Sequence, residues 1–302
     1  MIERDLDAIP AAVREYRATH SSHDLFLAVA RFAILAYAPS LHAKHAVIAA
    51  LSAYEARDAY GARWDDLLAE CARYAAESRQ PWSEPPILDP PRVSADQRRD
   101  VNALREAVAA RDRLAAERWL AARLDDDDLE HDLFTVAADG FDDLGMKVIV
   151  TAVACKLSRI LGEHGRFAAL RIAVWEIWSA ARRADSQSAP DPLRVGPTSD
   201  LRTRLVANAV TESGSIESVQ AVFLYDAAKD TNVFDRVSHY LATLPLNEAP
   251  TVTPCQIDPP IYRLARDFGQ HLRAFASGDE RLQSATAYNL EHAPSFADWS
   301  FA

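Results

Sequence analysis

The sequence predicts an all-α protein, and three observations carry that prediction. The 302 residues include 56 alanines but only 9 glycines, and alanine is the strongest helix former. Apolar residues recur at helical spacing, whereas no segment alternates convincingly with a period of two residues. Thirteen of the 16 prolines fall in three connectors, 80–93, 185–200 and 245–260, and helices stop there because proline lacks the amide donor.

Four helical blocks remain between these connectors, at about 1–80, 94–184, 201–244 and 261–290. No connector has the Gly/Ser composition of a flexible linker. We therefore expect a single all-α domain over 1–302. The alternative is a pair of packed helical subdomains, 1–93 and 94–302.

Local signals place helices inside the second block. Ser94 and Gln97 have the spacing of a capping box and predict the start of a long helical run. That run places apolar residues from Val101 to Trp119 near one face. The segment 166–183 is apolar on most sides and predicts a buried helix, with its two tryptophans packed in the core.

Two further helices are predicted around the candidate site residues. Pro39 and Ser40 precede a helix from about Leu41 to Tyr60, which Gly61 would end. Gly145 precedes a helix from about Met146 to Leu161, with Gly162 as its stop.

Charge excludes some classes of partner. The net charge is −11 and the sequence pI is about 5.3. Because nucleic acids and anionic lipids attract basic surfaces, we expect no nucleic-acid partner. No apolar run reaches the length of a membrane span, so we also expect no membrane partner.

The cysteines and the N-terminus favour a cytoplasmic protein. Cys71, Cys155 and Cys255 are odd in number and far apart, which predicts buried free thiols rather than disulfides or a zinc ribbon. The N-terminal segment is acidic and amphipathic, unlike a secretory signal.

The first candidate site is the pair His42 and His45. With Ser40 as the helix N-cap, both histidines lie in the first turns and project from nearly one face. The positive helix end favours neutral imidazole, the form that binds metal. Ala49 and Ser52 continue this face. Other helices would have to complete a site; the alternative is a partly buried pair bonded to backbone.

Lys147 is the second candidate, and the one with an expected catalytic role. It begins a helix within an apolar run, where the helix dipole disfavours a cation. One explanation is that Lys147 reaches solvent or pairs with Asp142 or Asp143. The other is a lysine that does chemistry, or one that is carbamylated and offers a carboxylate to a metal.

The third candidate is His131, within an acidic run at 125–132. The run lacks EF-hand spacing, and a solvated turn followed by an acidic first helical turn explains it. His239 and His271 each stand alone on a predicted helix, where a structural role is the expectation. The sequence contains no P-loop, GxSxG, HExxH or GxGxxG motif.

Two of these segments resemble the questin oxidase-like family of all-helical oxygenases. Leu41-His42-Ala43-Lys44-His45-Ala46 is similar to the family's histidine-bearing helix start, and Gly145-Met146-Lys147-Val148-Ile149 is similar to a later Gly-His-containing start. The order of helical blocks and proline-rich connectors is also similar, over much of the chain.

The resemblance implies an oxidoreductase that activates O₂ at a non-haem iron and oxidises an aromatic or quinone-like small molecule. It implies His42 and His45 as metal ligands and Lys147 as a modified ligand or tuning group. Family members are found in aromatic polyketide metabolism.

Two positions depart from the family pattern. Met146 stands where the family usually has histidine, and a thioether suits ferrous iron poorly. Val219 and Gln220 stand near a second usual histidine. A rebuilt iron site that uses His131 or His239 is one explanation. Another is a relative without metal: a helical binding or scaffold protein for a small apolar ligand or partner helix, or a cofactor-free enzyme.

Overall fold

The structure is a computed structural model that describes residues 6–37, 43–78, 89–180, 201–209, 216–244, 273, 276, 277 and 279–283. These residues contain no β-strand, so the all-α prediction is confirmed. Most of each proline-rich connector lies outside the described residues.

The described helices, in chain order, are α1 (Ile9–Arg17), α2 (Ser22–Ala36), α3 (Ala43–Glu55), α4 (Arg57–Tyr60), α5 (Trp64–Ser78), α6 (Val101–Ala109), α7 (Arg113–Ala122), α8 (Leu129–Ala137), α9 (Asp142–Leu161), α10 (Glu163–Ala180), α11 (Leu201–Ala209), α12 (Ile216–Ala228) and α13 (Phe234–Ala242).

The predicted helix start at Ser94 is wrong. The amide of Gln97 donates to the carbonyl of Ser94 in an isolated turn, and the first helix of this block starts seven residues later. Asp100 is its N-cap, because its carboxylate accepts from the amides of Asn102 and Ala103. A second break follows at Arg111, whose φ is 58°, so the run expected to be continuous forms α6 and α7.

The helix expected from Leu41 to Tyr60 is also interrupted. Residues 41 and 42 lie outside the described part, α3 ends at Glu55, and the short α4 follows. Gly61 comes directly after α4 with a φ of 51°, as expected for a glycine that ends a helix.

Contacts divide the chain into two compact units. Unit 1 comprises Met1–Glu84, Val206–Val219 and Pro250–Ala302, and unit 2 comprises Pro85–Leu205 and Gln220–Ala249. The first boundary falls nine residues before the predicted one at 93/94. Unit 1 also contains two later segments of the chain, whereas the predicted subdomains 1–93 and 94–302 are each continuous in sequence.

In unit 1, α2, α3 and α5 pack against one another. Helix α2 starts at a capping box, in which the Ser21 hydroxyl accepts from the amide of Asp24 and the Asp24 carboxylate accepts from the amide of Ser21. Phe26 packs against Tyr54 with tilted rings whose centroids are 4.6 Å apart. The Trp64 indole donates to the carbonyl of Ala53 at 2.9 Å, which ties the start of α5 to α3.

In unit 2, α9 and α10 form a hairpin joined by Gly162 alone, and α10 also packs on α7. Twelve of the 18 residues of α10 are buried, which confirms the predicted buried helix. A helix that is apolar on all sides is most stable when neighbouring helices cover every side, because its apolar surface is then removed from water. Buried Trp119 of α7 donates to the carbonyl of Asp100 at 2.9 Å.

Cys71 and Cys155 are buried and free, as predicted, and Cys255 lies outside the described residues. Burial raises the pKa of both thiols. Across the described ranges, no helix combines the length and the apolar character that a membrane crossing requires.

Candidate functional site

His45 lies at the start of α3, in unit 1, and is only 8% exposed. Lys44 beside it is 1% exposed. Ser52 lies two turns further along the face predicted for His45 and is fully buried, and its hydroxyl oxygen has no hydrogen-bond partner among the described residues. Polar side chains of α3 therefore point into the interior of the protein. His42, the other predicted ligand, lies outside the described residues.

Glu55, at the end of the same helix, does not belong to this polar face. The guanidinium of Arg273 forms an ion pair with its carboxylate.

Lys147 lies in the first turns of α9, in unit 2, and is 7% exposed. Its neighbours Met146, Val148 and Ile149 are buried apolar residues. The hydroxyl of Thr151 donates to the Lys147 carbonyl at 2.7 Å. A side chain buried to this degree is poorly placed to reach solvent. The alternative pairing with Asp142 or Asp143 involves side chains outside those that the structure describes.

The backbone before Lys147 has an uncommon conformation. Leu144 has a φ of 50° and Gly145 a φ of 72°, and a positive φ is rare for a residue as large as leucine. A Cβ atom on Gly145 would lie 2.6 Å from Cδ2 of Leu224 on α12. The side-chain amide of Gln220 lies 3.5 Å from the Leu144 carbonyl. Helix α12 therefore holds the chain in this conformation just before the buried lysine.

His131 and His239 lie nearer the surface of unit 2. His131 is exposed, and its Nε2 lies 3.4 Å from the Asn232 amide nitrogen. His239 is half-buried, and its Nδ1 lies 2.7 Å from the carbonyl of Asp235, one turn earlier in α13. A carbonyl only accepts, so Nδ1 carries the proton of this bond. His271 lies outside the described residues.

Within the described ranges, no three His, Cys, Asp or Glu side chains form a group that could hold a metal ion. Three of the four predicted ligands lie in these ranges. His45 is buried, whereas His131 and His239 form hydrogen bonds near the surface. A non-haem iron site needs several nitrogen or oxygen donors together. The described residues alone therefore do not supply a complete iron site.

Three carboxylates of the acidic run at 125–132 pair with one buried arginine. Arg123, only 3% exposed, forms ion pairs with Asp126, Asp128 and Asp132. Burial by itself would lower the pKa of Arg123, but its hydrogen bonds to Asp132 and Asp126 outweigh burial and raise it. The run is thus a turn organised by an ion cluster, and Asp128 directly precedes α8.

A buried charge pair in unit 2 was not found from the sequence. Glu117 of α7 is fully buried, and one of its carboxylate oxygens accepts from Arg171 at 2.8 Å and from the Trp175 indole at 2.7 Å. The Arg171 guanidinium stacks on the Trp175 ring at 4.0 Å. Burial lowers the pKa of Arg171. The tryptophan does pack in the core as predicted, but with a polar partner.

Comparisons with protein-family models, with curated proteins and with solved structures found no match to this chain. The similarity to the questin oxidase-like family therefore stays a prediction from the short segments around His45 and Lys147.

Proposed function

We propose that this chain is an oxidoreductase that oxidises an apolar aromatic or quinone-like small molecule with O₂. The observation that carries the proposal is the burial of Lys147 at the start of α9, one of the two positions where the sequence resembles the oxygenase family. The uncommon backbone before it supports the same assignment, because strained conformations cluster at functional sites.

A buried ammonium group suits the chemistry of a phenol or quinol. A cation beside the reacting oxygen stabilises the phenolate that forms when a phenol loses its proton. The neutral amine of Lys147 would accept the phenol proton and, as the ammonium group, would then donate a charge-assisted hydrogen bond from Nζ to the phenolate oxygen.

The metal-dependent part of the proposal rests on the resemblance. His42 and His45 are the residues we expect to hold iron, with further ligands from other segments. Iron, when bound, would supply the activation of O₂. Buried Lys44 and Ser52 beside His45 would orient groups near the imidazole.

Elemental mass spectrometry of untagged protein tests the metal. We expect near-stoichiometric iron in the wild-type chain and its loss in His45→Ala. His20→Ala is the matched control, because this exposed histidine stacks on Tyr16 at the surface. Its iron content should equal that of the wild type.

A chain that stays iron-free after anaerobic reconstitution with ferrous ion would overturn the oxygenase proposal. Equal iron loss in both histidine variants would remove His45 from the ligand set. In the first case a metal-free binding protein or enzyme would take the place of the oxygenase, and a thermal-shift screen with aromatic ligands would follow.

A further inference from the structure

A cleft of about 890 Å³ opens in unit 2, where the end of α9 meets the start of α10. The end of α7 and the start of α8 form the facing wall. Its volume lies within the range of small-molecule sites. The cleft includes Arg159, 12 residues along α9 from Lys147, so it lies roughly 18 Å along the helix axis from the proposed catalytic group.

One wall of the cleft carries a cation that is available to a ligand. Arg166 is half-buried in the second turn of α10 and forms no ion pair or hydrogen bond with any other described residue. Arg159 also lines the cleft, but its guanidinium is bonded to the Glu130 carboxylate. A carboxylate on a ligand would therefore bind at Arg166, where a guanidinium can form two parallel hydrogen bonds.

Carboxylates without ion pairs line the same cleft. Asp125 and Asp89 are exposed on the facing side, and Glu163 lies at the start of α10. None of the three forms an ion pair within the described part of the chain. Together with Arg166 they leave the cleft with an excess of negative charge. A simple anion is disfavoured in such a field, whereas an ammonium group is attracted.

The apolar part of the lining adds a third requirement. Phe167 is buried, and Leu124 is half-buried beside the acidic turn. A ligand that satisfies the whole cleft carries a carboxylate, an ammonium group and an apolar body. We propose that this cleft binds a small zwitterion of the apolar amino-acid type, with its carboxylate on Arg166 and its ammonium group near Asp125.

Calorimetry on the full chain tests the proposal with three probes of one shape. L-phenylalanine carries both charges, 2-phenylethylamine only the ammonium group, and 3-phenylpropionate only the carboxylate. We expect saturable binding of L-phenylalanine and at least about tenfold weaker binding of either analogue, the usual effect of losing one charge-assisted hydrogen bond.

Matched variants test the two ends of the ligand. Arg166→Gln should weaken L-phenylalanine binding about tenfold, whereas Arg118→Gln, at an exposed arginine of α7 outside the cleft, should not. Asp125→Asn should weaken it severalfold. Asp127→Asn is its control, since Asp127 is exposed in the same acidic turn and does not line the cleft.

Three results would overturn the proposal. They are the absence of saturable L-phenylalanine binding up to about 10 mM, analogue affinities equal to that of L-phenylalanine, and equal affinities for Arg166→Gln and Arg118→Gln. The iron measurement does not depend on this cleft, so the zwitterion site and the oxygenase proposal can fail separately.

Discussion

Two of the four lysines are almost completely buried. Lys44 and Lys147 are shielded from solvent, whereas Lys156 and Lys229 are exposed. Burying an ammonium group carries a large desolvation cost, which interactions with other groups must offset. Under the proposed function, Lys147 is the buried lysine of unit 2 whose replacement should affect catalysis.

Under the proposed oxygenase function, replacing Lys147 with methionine should strongly slow substrate oxidation while the protein stays folded. Methionine has a similar length and is apolar, so it fits among the buried neighbours of α9. We expect kcat/KM to fall at least about a hundredfold, the usual contribution of a positioned acid or base. O₂ consumption with phenolic substrates measures this.

Lys156→Met is the control, at an exposed position of the same helix. It should leave both activity and thermal stability unchanged. Lys147→Met protein that keeps wild-type activity would exclude a catalytic role for this lysine.

A second prediction at the residue scale concerns the buried ion pair of Glu117 and Arg171. Glu117→Gln removes the negative charge beside a buried guanidinium and should lower the free energy of unfolding by about 2 kcal/mol. Glu106→Gln should cost less than about 0.5 kcal/mol, because Glu106 pairs with Arg98 at the exposed surface. Urea unfolding of both variants measures the difference.

A double-mutant cycle with Arg171→Met tests whether the pair explains the cost. The two substitutions together should cost less than the sum of the single effects, because no buried charge is then left alone. Additive costs would show that Glu117 stabilises unit 2 through contacts other than the ion pair.

At the scale of elements, two glycines with positive φ differ in what surrounds them. A Cβ at Gly162 meets open space, whereas one at Gly145 meets the Leu224 side chain. The backbone costs of alanine at the two positions also differ, because Gly162 has a ψ of −165°, in a region open almost only to glycine. We therefore expect the steric part of the Gly145→Ala cost, about 1–3 kcal/mol of unfolding free energy, to disappear in a Leu224→Ala background, whereas the cost of Gly162→Ala should be the same in both backgrounds.

Urea unfolding of both alanine variants, with and without Leu224→Ala, checks this expectation. A Gly145→Ala cost that is unchanged by Leu224→Ala would mean that the leucine side chain moves aside, and that α12 does not hold the start of α9 as rigidly as the contact indicates.

The sequence predicted which segments are helical better than where the helices start. The buried helix α10 was predictable, because its apolar residues cover all sides and leave no exposed face. Ser94 was misleading because serine favours isolated turns as much as helix N-caps. Asp100 instead caps α6, and Arg98 pairs with that same carboxylate from the preceding turn.

Candidate sites were harder to predict than helices, because their parts come from distant segments. Spacing places His42 and His45 on one face, but it cannot supply ligands from other helices. Glu117 and Arg171 are 54 residues apart, so no local pattern links them. The cleft residue Arg166 gave no signal either, since an arginine at the start of a helix has no distinctive spacing.

At the scale of the whole molecule, buried acids limit stability at high pH. Burial raises the pKa of Tyr60 to about 12 and also raises the pKa of the Cys71 and Cys155 thiols. The unfolded chain loses these protons first, from about pH 8.5 for thiols and pH 10 for tyrosine. The stabilisation that these groups provide is therefore fully present below their unfolded-state pKa values. It is lost as the pH rises toward their folded-state pKa values.

Urea unfolding between pH 8 and 11 measures this loss. Each group should contribute up to about 1.4 kcal/mol per pH unit within its window. A Cys71→Ala, Cys155→Ala, Tyr60→Phe triple variant should show a flatter profile than the wild type. Parallel profiles would assign the alkaline loss to other groups.

The single-residue connection between α9 and α10 has a consequence for folding kinetics. The loop that must close to bring these helices together is as short as a helical hairpin allows, so its entropic cost is small. Contacts close in sequence form early, whereas unit 1 needs segments that are separated by more than 100 residues along the chain. The α9–α10 hairpin is therefore the natural nucleus, and hydrogen exchange during refolding should protect its amides first.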